Sequence, residues 1–432
     1  MSFETFQAKS LRGEITIPGD KSISHRAIIL SSLAEGNSYI KGFLESDDCL
    51  HTLKIFQDLG VEISRIEPGY YKVEGVGLNG LREARNVLYC GNSGTTARLL
   101  AGLLSAQNFY SVLTGDNSLN GRPMDRIINP LEKMGARIWS RENKYLPLSI
   151  MGSPLKGINY ELPVASAQLK SALLLAGLYA QGDLKIVEPE YSRDHTERML
   201  QAFGVELEID GKEITLRKRG TLKLDAQEIE VPGDLSSAAF FIAAALITPD
   251  SEILIRNVGI NPTRDGFLKV IQEMGASIEI FNIREYAGEP LADIWVMSSN
   301  LKAVSIEGDI IPLLIDELPL LAILATQAEG RTVIRDAAEL RVKESDRITA
   351  TVEGLRKLGA RVEELADGMV IEGPVRLQGG VEIDSYYDHR IAMSFMVAGL
   401  VSQESFRIKE AEAVKISFPE FSTILKNCVK AN

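Results

Sequence analysis

Cations placed where the chain turns into a helix are the first residues that suggest chemistry. Gly19-Asp20-Lys21-Ser22 runs on through Ile23-Ser24-His25 to Arg26, so a Lys, a Ser and an Arg fall close to one helix start. Acids are favoured there, because backbone N–H groups point outward and the helix dipole is positive at that end. Lys21 and Arg26 are therefore poorly placed for helix stability and well placed to hold an anion. Their order differs from GxxxxGK[ST], which excludes a Walker-type nucleotide loop. Gly91-Asn92-Ser93-Gly94-Thr95-Thr96-Ala97-Arg98 is a run of small residues that lets a ligand approach the backbone. Arg122 sits in the turn Gly121-Arg122-Pro123. Lys343-Glu344-Ser345-Asp346-Arg347 and Asp388-His389-Arg390 crowd charge at helix starts, and Asp316-Glu317 precedes Leu318-Pro319. Arginine grips phosphate and carboxylate with a planar fork of donors, and a carboxylate in reach of a hydroxyl moves protons. Each piece also has a plain structural explanation: Ser, Asp and Asn cap helices, and Lys343, Glu344 and Arg347 could be a solvated, salt-bridged face.

A repeated phrase indicates the elements that position these residues. Leu59-Gly60-Val61-Glu62-Ile63 returns as Met134-Gly135-Ala136-Arg137-Ile138 and as Phe203-Gly204-Val205-Glu206-Leu207. It returns again as Met274-Gly275-Ala276-Ser277-Ile278 and Leu358-Gly359-Ala360-Arg361-Val362, with the glycines 69–84 residues apart. The spacing predicts an amphipathic helix, such as Asp125 to Met134, a glycine stop in the left-handed region, and then a strand. Six such units fit the chain, the last of them truncated. Each also holds an earlier and more apolar helix: Ile23–Ala34, Gly94–Ser105, Ala167–Ala180, Ser236–Ile247, Leu313–Thr326 and His389–Val401. Ser236 to Leu246 is apolar nearly all the way round, so this helix must be buried on most sides. Val231-Pro232-Gly233-Asp234-Leu235-Ser236 echoes Ile17-Pro18-Gly19-Asp20-Lys21-Ser22 and marks a second half. The expected organisation is α/β in two domains. One comprises residues 1–19 and 232–432, the other the inserted residues 20–231, with three repeat units in each and the active site in the cleft between them.

The bulk properties narrow the function. The chain has 432 residues and a formal net charge of −12. That balance weighs against nucleic acid or an anionic membrane as a partner, and it allows a small anionic substrate if cations gather locally. Met1 to Ile15 lacks the apolar stretch of a secretory signal, and Phe240–Ile247 falls far short of the roughly 20 residues that cross a bilayer. Cys49, Cys90 and Cys428 are scattered without pairing, which fits buried thiols in a reducing compartment and leads us to expect a cytoplasmic protein. His25, His51, His195 and His389 show no metal-ligand spacing, so neither metal nor cofactor is expected.

Taken with Pro163-Val164-Ala165-Ser166-Ala167-Gln168, these segments resemble the enolpyruvyl transferase family over essentially the whole chain, in order and in spacing. Val164 to Ala172, followed by Ser192-Arg193-Asp194-His195-Thr196, is similar to the class II bacterial branch whose acceptor is shikimate 3-phosphate. The resemblance implies an inverse, inside-out α/β barrel with buried helices and outer sheets. It also implies transfer of the enolpyruvyl group of phosphoenolpyruvate to shikimate 3-phosphate on the route to chorismate and the aromatic amino acids. By the same resemblance Asp316 is the base for the attacking hydroxyl, and Glu344 exchanges a proton with the methylene carbon, helped by Lys21. Lys21, Ser22, Arg26, Ser166, Ala167, Gln168, Arg193, Asp316 and Lys343 would hold shikimate 3-phosphate. Lys21, Gly94, Arg122, Gln168, Arg347 and Arg390 would hold phosphoenolpyruvate. Competitive inhibition by glyphosate and a monomeric state are expected, while Arg98 is read as structural, and His25 and His389 as packing neighbours.

Two departures stand out. Ala167 replaces a Ser of some relatives, leaving only its backbone to take part, and Ile416 stands where many place a Lys, with Lys415 shifted by one. A sister branch with UDP-N-acetylglucosamine as acceptor carries a reactive Cys before its Gly-Ala-Arg-Pro-like phrase, but Thr114 to Pro123 holds none. The remaining alternative is a non-catalytic metabolite-binding repeat protein. It calls for loss of Lys21, Asp316, Glu344 or Arg390, and all four are present.

Overall fold

The computed structural model describes residues 2–218, 220 and 222–429. The chain forms two compact units. A terminal unit comprises Met1–Pro18, Pro232–Arg284 and Pro290–Asn432; an inserted unit comprises Gly19–Val231 and Glu285–Glu289.

Both units repeat one module: an apolar helix, a strand, an amphipathic helix and a β-hairpin. In the inserted unit the apolar helices are Lys21–Leu33, Gly94–Ser105 and Ala167–Gly177. In the terminal unit they are Leu235–Ile247, Leu318–Gln327 and His389–Gly399. All six are buried along nearly their full length, and within each unit they pack together, so each unit is built with its helices inside. The sheets lie outside them, their strands alternating buried residues with half-buried or exposed ones.

The second helix of each module explains the glycine phrase. Asp47–Asp58, Asp125–Lys133, His195–Ala202, Gly266–Glu273 and Arg347–Lys357 all stop just before one of the five glycines. Gly60, Gly135, Gly204, Gly275 and Gly359 all have φ between 79° and 102°. At the first of them Gly60 N–H donates to Gln57 O at 3.0 Å and Val61 N–H donates to Phe56 O at 3.0 Å; the other four repeat the pair. This is the Schellman closure, which satisfies the last helical carbonyls and turns the chain into the next strand.

Neighbouring modules are joined by parallel edge strands. Leu88–Tyr89 runs beside Tyr110–Thr114, and Glu228–Glu230 returns to pair with Glu35–Lys41, the first strand of its own unit. In the last module no hairpin follows among the described residues. Phe3–Glu4 pairs antiparallel with Arg407–Lys409 instead, so the start of the chain completes the truncated sixth repeat. Among the described residues no helix is long and apolar enough to cross a membrane.

The helix expected over Leu313–Thr326 is broken. Ile311–Leu314 forms one short helix, Ile315–Glu317 a 3-10 turn, and Leu318–Gln327 the buried helix. Pro319 causes the break, since it has no N–H to donate four residues back and its ring crowds that carbonyl. The break places Asp316 on a tight turn at the mouth of the helix. Elsewhere Asp20 caps its helix by accepting from Ile23 N–H at 2.9 Å, starting it at Lys21, and two helices end sooner than expected, at Gly177 and Gly399.

Candidate active site

In the terminal unit three helix starts bring alternating charges together. Asp346 caps Arg347–Lys357 and Asp388 caps His389–Gly399, each through its own side chain. Arg347 is almost wholly buried and faces three carboxylates. Its Nε donates to Asp388 Oδ2 at 2.7 Å, its Nη2 to Glu344 Oε2 at 2.6 Å and its Nη1 to Asp316 Oδ1 at 3.2 Å. Burial opposes that charge, but Asp388, Glu344 and Asp316 outweigh it and hold the guanidinium above its ordinary pKa. Burial likewise works against the Asp388 carboxylate, yet Arg347 keeps its pKa below the usual value. Asp316 has two further cations near it, Lys343 Nζ and Arg390 Nη2, both at 3.9 Å. Arg390 Nη1 also donates to Glu317 Oε1 at 3.3 Å. Behind them Ser236 Oγ donates to Glu317 and accepts from the buried Arg264 at 2.6 Å.

In the inserted unit Gly94 opens a helix whose cap, Ser93, accepts from Thr96 N–H. A Cβ at position 94 would stand 2.9 Å from Arg98 Nη1 and 3.7 Å from Arg122 Nη1, so two guanidinium groups flank bare backbone. Arg98 Nη1 donates to Gln168 Oε1 at 2.6 Å, and Gln168 Nε2 donates to Thr95 Oγ1 at 3.0 Å. Arg122 Nη2 donates to Asn92 Oδ1 at 2.6 Å. Lys21, first in its helix, pairs with Asp48. Arg26 is buried and donates to Thr196 Oγ1, Ser171 Oγ and Ser22 O at 2.7, 2.8 and 2.9 Å. Burial, against the pull of Glu197, lowers its pKa to about 10. Ser166 caps the Ala167–Gly177 helix, and Arg193 is close enough to Arg26 to oppose its charge.

The residues expected from sequence therefore fall into two groups. Asp316, Lys343, Glu344, Arg347 and Arg390 share one network in the terminal unit. Gly94, Arg122 and Gln168 surround one helix start in the inserted unit, where Lys21 and Arg26 begin another helix. Sequence reasoning set Arg98 aside, but it bonds Gln168 beside Gly94. The signal was available, because residues 94 and 98 share a helix face. Asp48, Glu317 and Arg264 were also passed over, since their partners are distant in sequence. His25 Nδ1 lies 2.7 Å from Thr52 Oγ1 and burial lowers its pKa to about 3, so it is a neutral interior side chain. Lys415 is exposed on the 3-10 turn Ala411–Ile416. A cleft of about 530 Å³ lined by Arg331, Arg361 and Arg376 also opens in the terminal unit, and none of the expected residues lines it.

The sequence profile of EPSP synthase (3-phosphoshikimate 1-carboxyvinyltransferase) matches residues 6–425. The chain belongs to the EPSP synthase family. A 3-phosphoshikimate 1-carboxyvinyltransferase of Thermodesulfovibrio yellowstonii is 54% identical over 422 residues, covering 97% of this chain and 98% of its own length. One from Geobacter sulfurreducens is 52% identical over 426 residues, covering 98% of each. The solved EPSP synthase of Acinetobacter baumannii superposes with a TM-score of 0.91 at 47% identity, covering 99% of this chain and 98% of that one. The enolpyruvyl transferase NikO from Streptomyces tendae shares the fold at a TM-score of 0.81 and 16% identity, covering 98% of this chain and 96% of that one. The inside-out α/β architecture is thus that of EPSP synthases and of a more distant enolpyruvyl transferase.

Proposed function

We infer that this chain transfers the enolpyruvyl group of phosphoenolpyruvate to the 5-hydroxyl of shikimate 3-phosphate, releasing phosphate. Family membership supports the reaction, and the alternation of Asp316, Glu344, Arg347 and Arg390 supports the residue roles. Asp316 accepts the proton of the 5-hydroxyl as that oxygen attacks C2 of phosphoenolpyruvate. Glu344 gives a proton to the methylene carbon, with Lys21 assisting. The tetrahedral adduct then gives up one of its three equivalent methyl protons to Glu344 as the bond between C2 and the phosphate oxygen breaks and phosphate leaves. Arg122, Arg347, Arg390, Lys21, Gln168 and the Gly94 backbone bind phosphoenolpyruvate. Lys21, Ser22, Arg26, Ser166, the Ala167 backbone, Gln168, Arg193, Lys343 and Asp316 bind shikimate 3-phosphate.

The free enzyme's own ion pairs fit this role. Arg347 and Arg390 face carboxylates, so an incoming anion competes for cations already shared. When an anion binds, their positive field is drawn away from Asp316, which strengthens that carboxylate as a base. All three cysteines are buried, and burial raises the pKa of Cys49 to about 12 and that of Cys90 above its ordinary value; covalent thiol chemistry is disfavoured. Exchange of solvent deuterium into the methylene carbon in the presence of both substrates tests the proton-transfer roles. Glu344→Gln should slow it at least tenfold; wild-type exchange in that variant would remove Glu344 from its role.

A further inference from the structure

One buried ionic cluster in the inserted unit is used by none of these steps. Lys170, 1% exposed, lies one turn into the Ala167–Gly177 helix. Its Nζ contacts Glu188 Oε2 at 2.7 Å and Glu197 Oε1 at 2.6 Å, and donates to Ser192 O at 3.4 Å. Glu188 Oε1 in turn accepts from Ser192 Oγ. In the adjacent layer, Ser171 and Thr196 hydroxyls meet at 2.6 Å and both accept from Arg26.

Stability alone does not account for this arrangement. Burying an ammonium and two carboxylates is expensive even with the Arg26 guanidinium nearby to balance Glu197, and an apolar core of the same volume would be as stable. What the cluster does achieve is geometric. It ties the helix that opens with Ser166, Ala167 and Gln168 to the segment that runs directly into Arg193. We propose that the Lys170–Glu188–Ser192 clamp is a positioning element for the acceptor, holding Arg193 in register with Ser166 and Arg26. This rests on the assignment of Arg193 to shikimate 3-phosphate. Residues that fix the supports of a binding side chain set its affinity without touching the ligand.

Glu188→Gln is the variant of choice, because it keeps the size of the side chain, removes one carboxylate charge and leaves Lys170 paired with Glu197. On the full chain, calorimetric titration should show the Kd for shikimate 3-phosphate rising about tenfold, as expected when a binding group shifts by a fraction of an ångström. The KM for phosphoenolpyruvate should stay within about twofold. Ser192→Ala reads the same link if Glu188→Gln folds poorly. A double-mutant cycle separates positioning from general weakening: in an Arg193→Ala background, Glu188→Gln should add less than about twofold, because its effect passes through Arg193. Additive effects would overturn the proposal. So would an unchanged Kd in Glu188→Gln while Arg193→Ala weakens binding, leaving the acceptor assignment standing. If Arg193→Ala itself binds shikimate 3-phosphate normally, the assignment and the proposal fall together.

Discussion

Replacing Asp316 with Asn separates the catalytic use of this carboxylate from its structural one. Asp316, Glu317, Glu344 and Asp388 are four acids facing three bases, Lys343, Arg347 and Arg390. Each cation at 3.2–3.9 Å from Asp316 contributes a gross attraction of about 4 kcal/mol at an effective dielectric constant near 20, offset by desolvation of both partners. The substitution leaves three charges of each sign, and the amide oxygen can still accept from Arg347. The net loss of stability should therefore stay under about 2 kcal/mol, a fall of at most about 4–8 °C in Tm for a unit of this size. A general base contributes about 10²–10⁴-fold in rate, or about 3–5 kcal/mol of barrier. Phosphate release at saturating substrates should accordingly drop by about a thousandfold, while calorimetric Kd for shikimate 3-phosphate changes less than about tenfold. A kcat within tenfold of the parent would refute the argument. Loss of acceptor binding together with turnover would confine Asp316 to binding and leave the base to be found elsewhere.

Three further outcomes follow from the geometry. Gly94→Ala would push a methyl to 2.9 Å from Arg98 Nη1, so the KM for phosphoenolpyruvate should rise by about tenfold and glyphosate, if it competes there, should weaken in parallel; unchanged constants would show that no anion sits at this backbone. Gly102→Ala would place a Cβ 2.1 Å from Ala172 O, forcing apart the helices that open at Gly94 and Ala167; we expect a loss of about 1–3 kcal/mol, read as a lower Tm, and an unchanged melt would contradict the close approach. His25 titrates in the unfolded chain near pH 6.5 and in the folded chain only near pH 3, so acid favours unfolding across that window, by about 2 kcal/mol at pH 5. His25→Gln should flatten the dependence of Tm on pH between about 4 and 6 by one proton, and an unaltered slope would assign the acid sensitivity to other groups.

The repeated module was legible because its signals are local. A glycine that must adopt positive φ after an amphipathic helix is visible at Gly60, Gly135, Gly204, Gly275 and Gly359, and the caps at Asp20, Ser93, Asp234 and Asp388 follow from side-chain chemistry. The Leu313–Thr326 stretch misled because apolar periodicity masked the break that Pro319 dictates. Residues gathered at helix starts could be listed from sequence, but their partners could not. Lys170 looks like a stray charge in an apolar helix until Glu188 and Glu197 meet it, 18 and 27 residues away. Arg264 and Asp48 likewise gain meaning only from contacts made across the fold.

This acidic chain gathers its cations to join two phosphorylated substrates. Phosphate released from phosphoenolpyruvate, followed with shikimate 3-phosphate and separately with UDP-N-acetylglucosamine, tests it most directly. We expect one phosphate per product with the first acceptor and background release with the second; release driven by the sugar nucleotide, or by neither, would contradict the account.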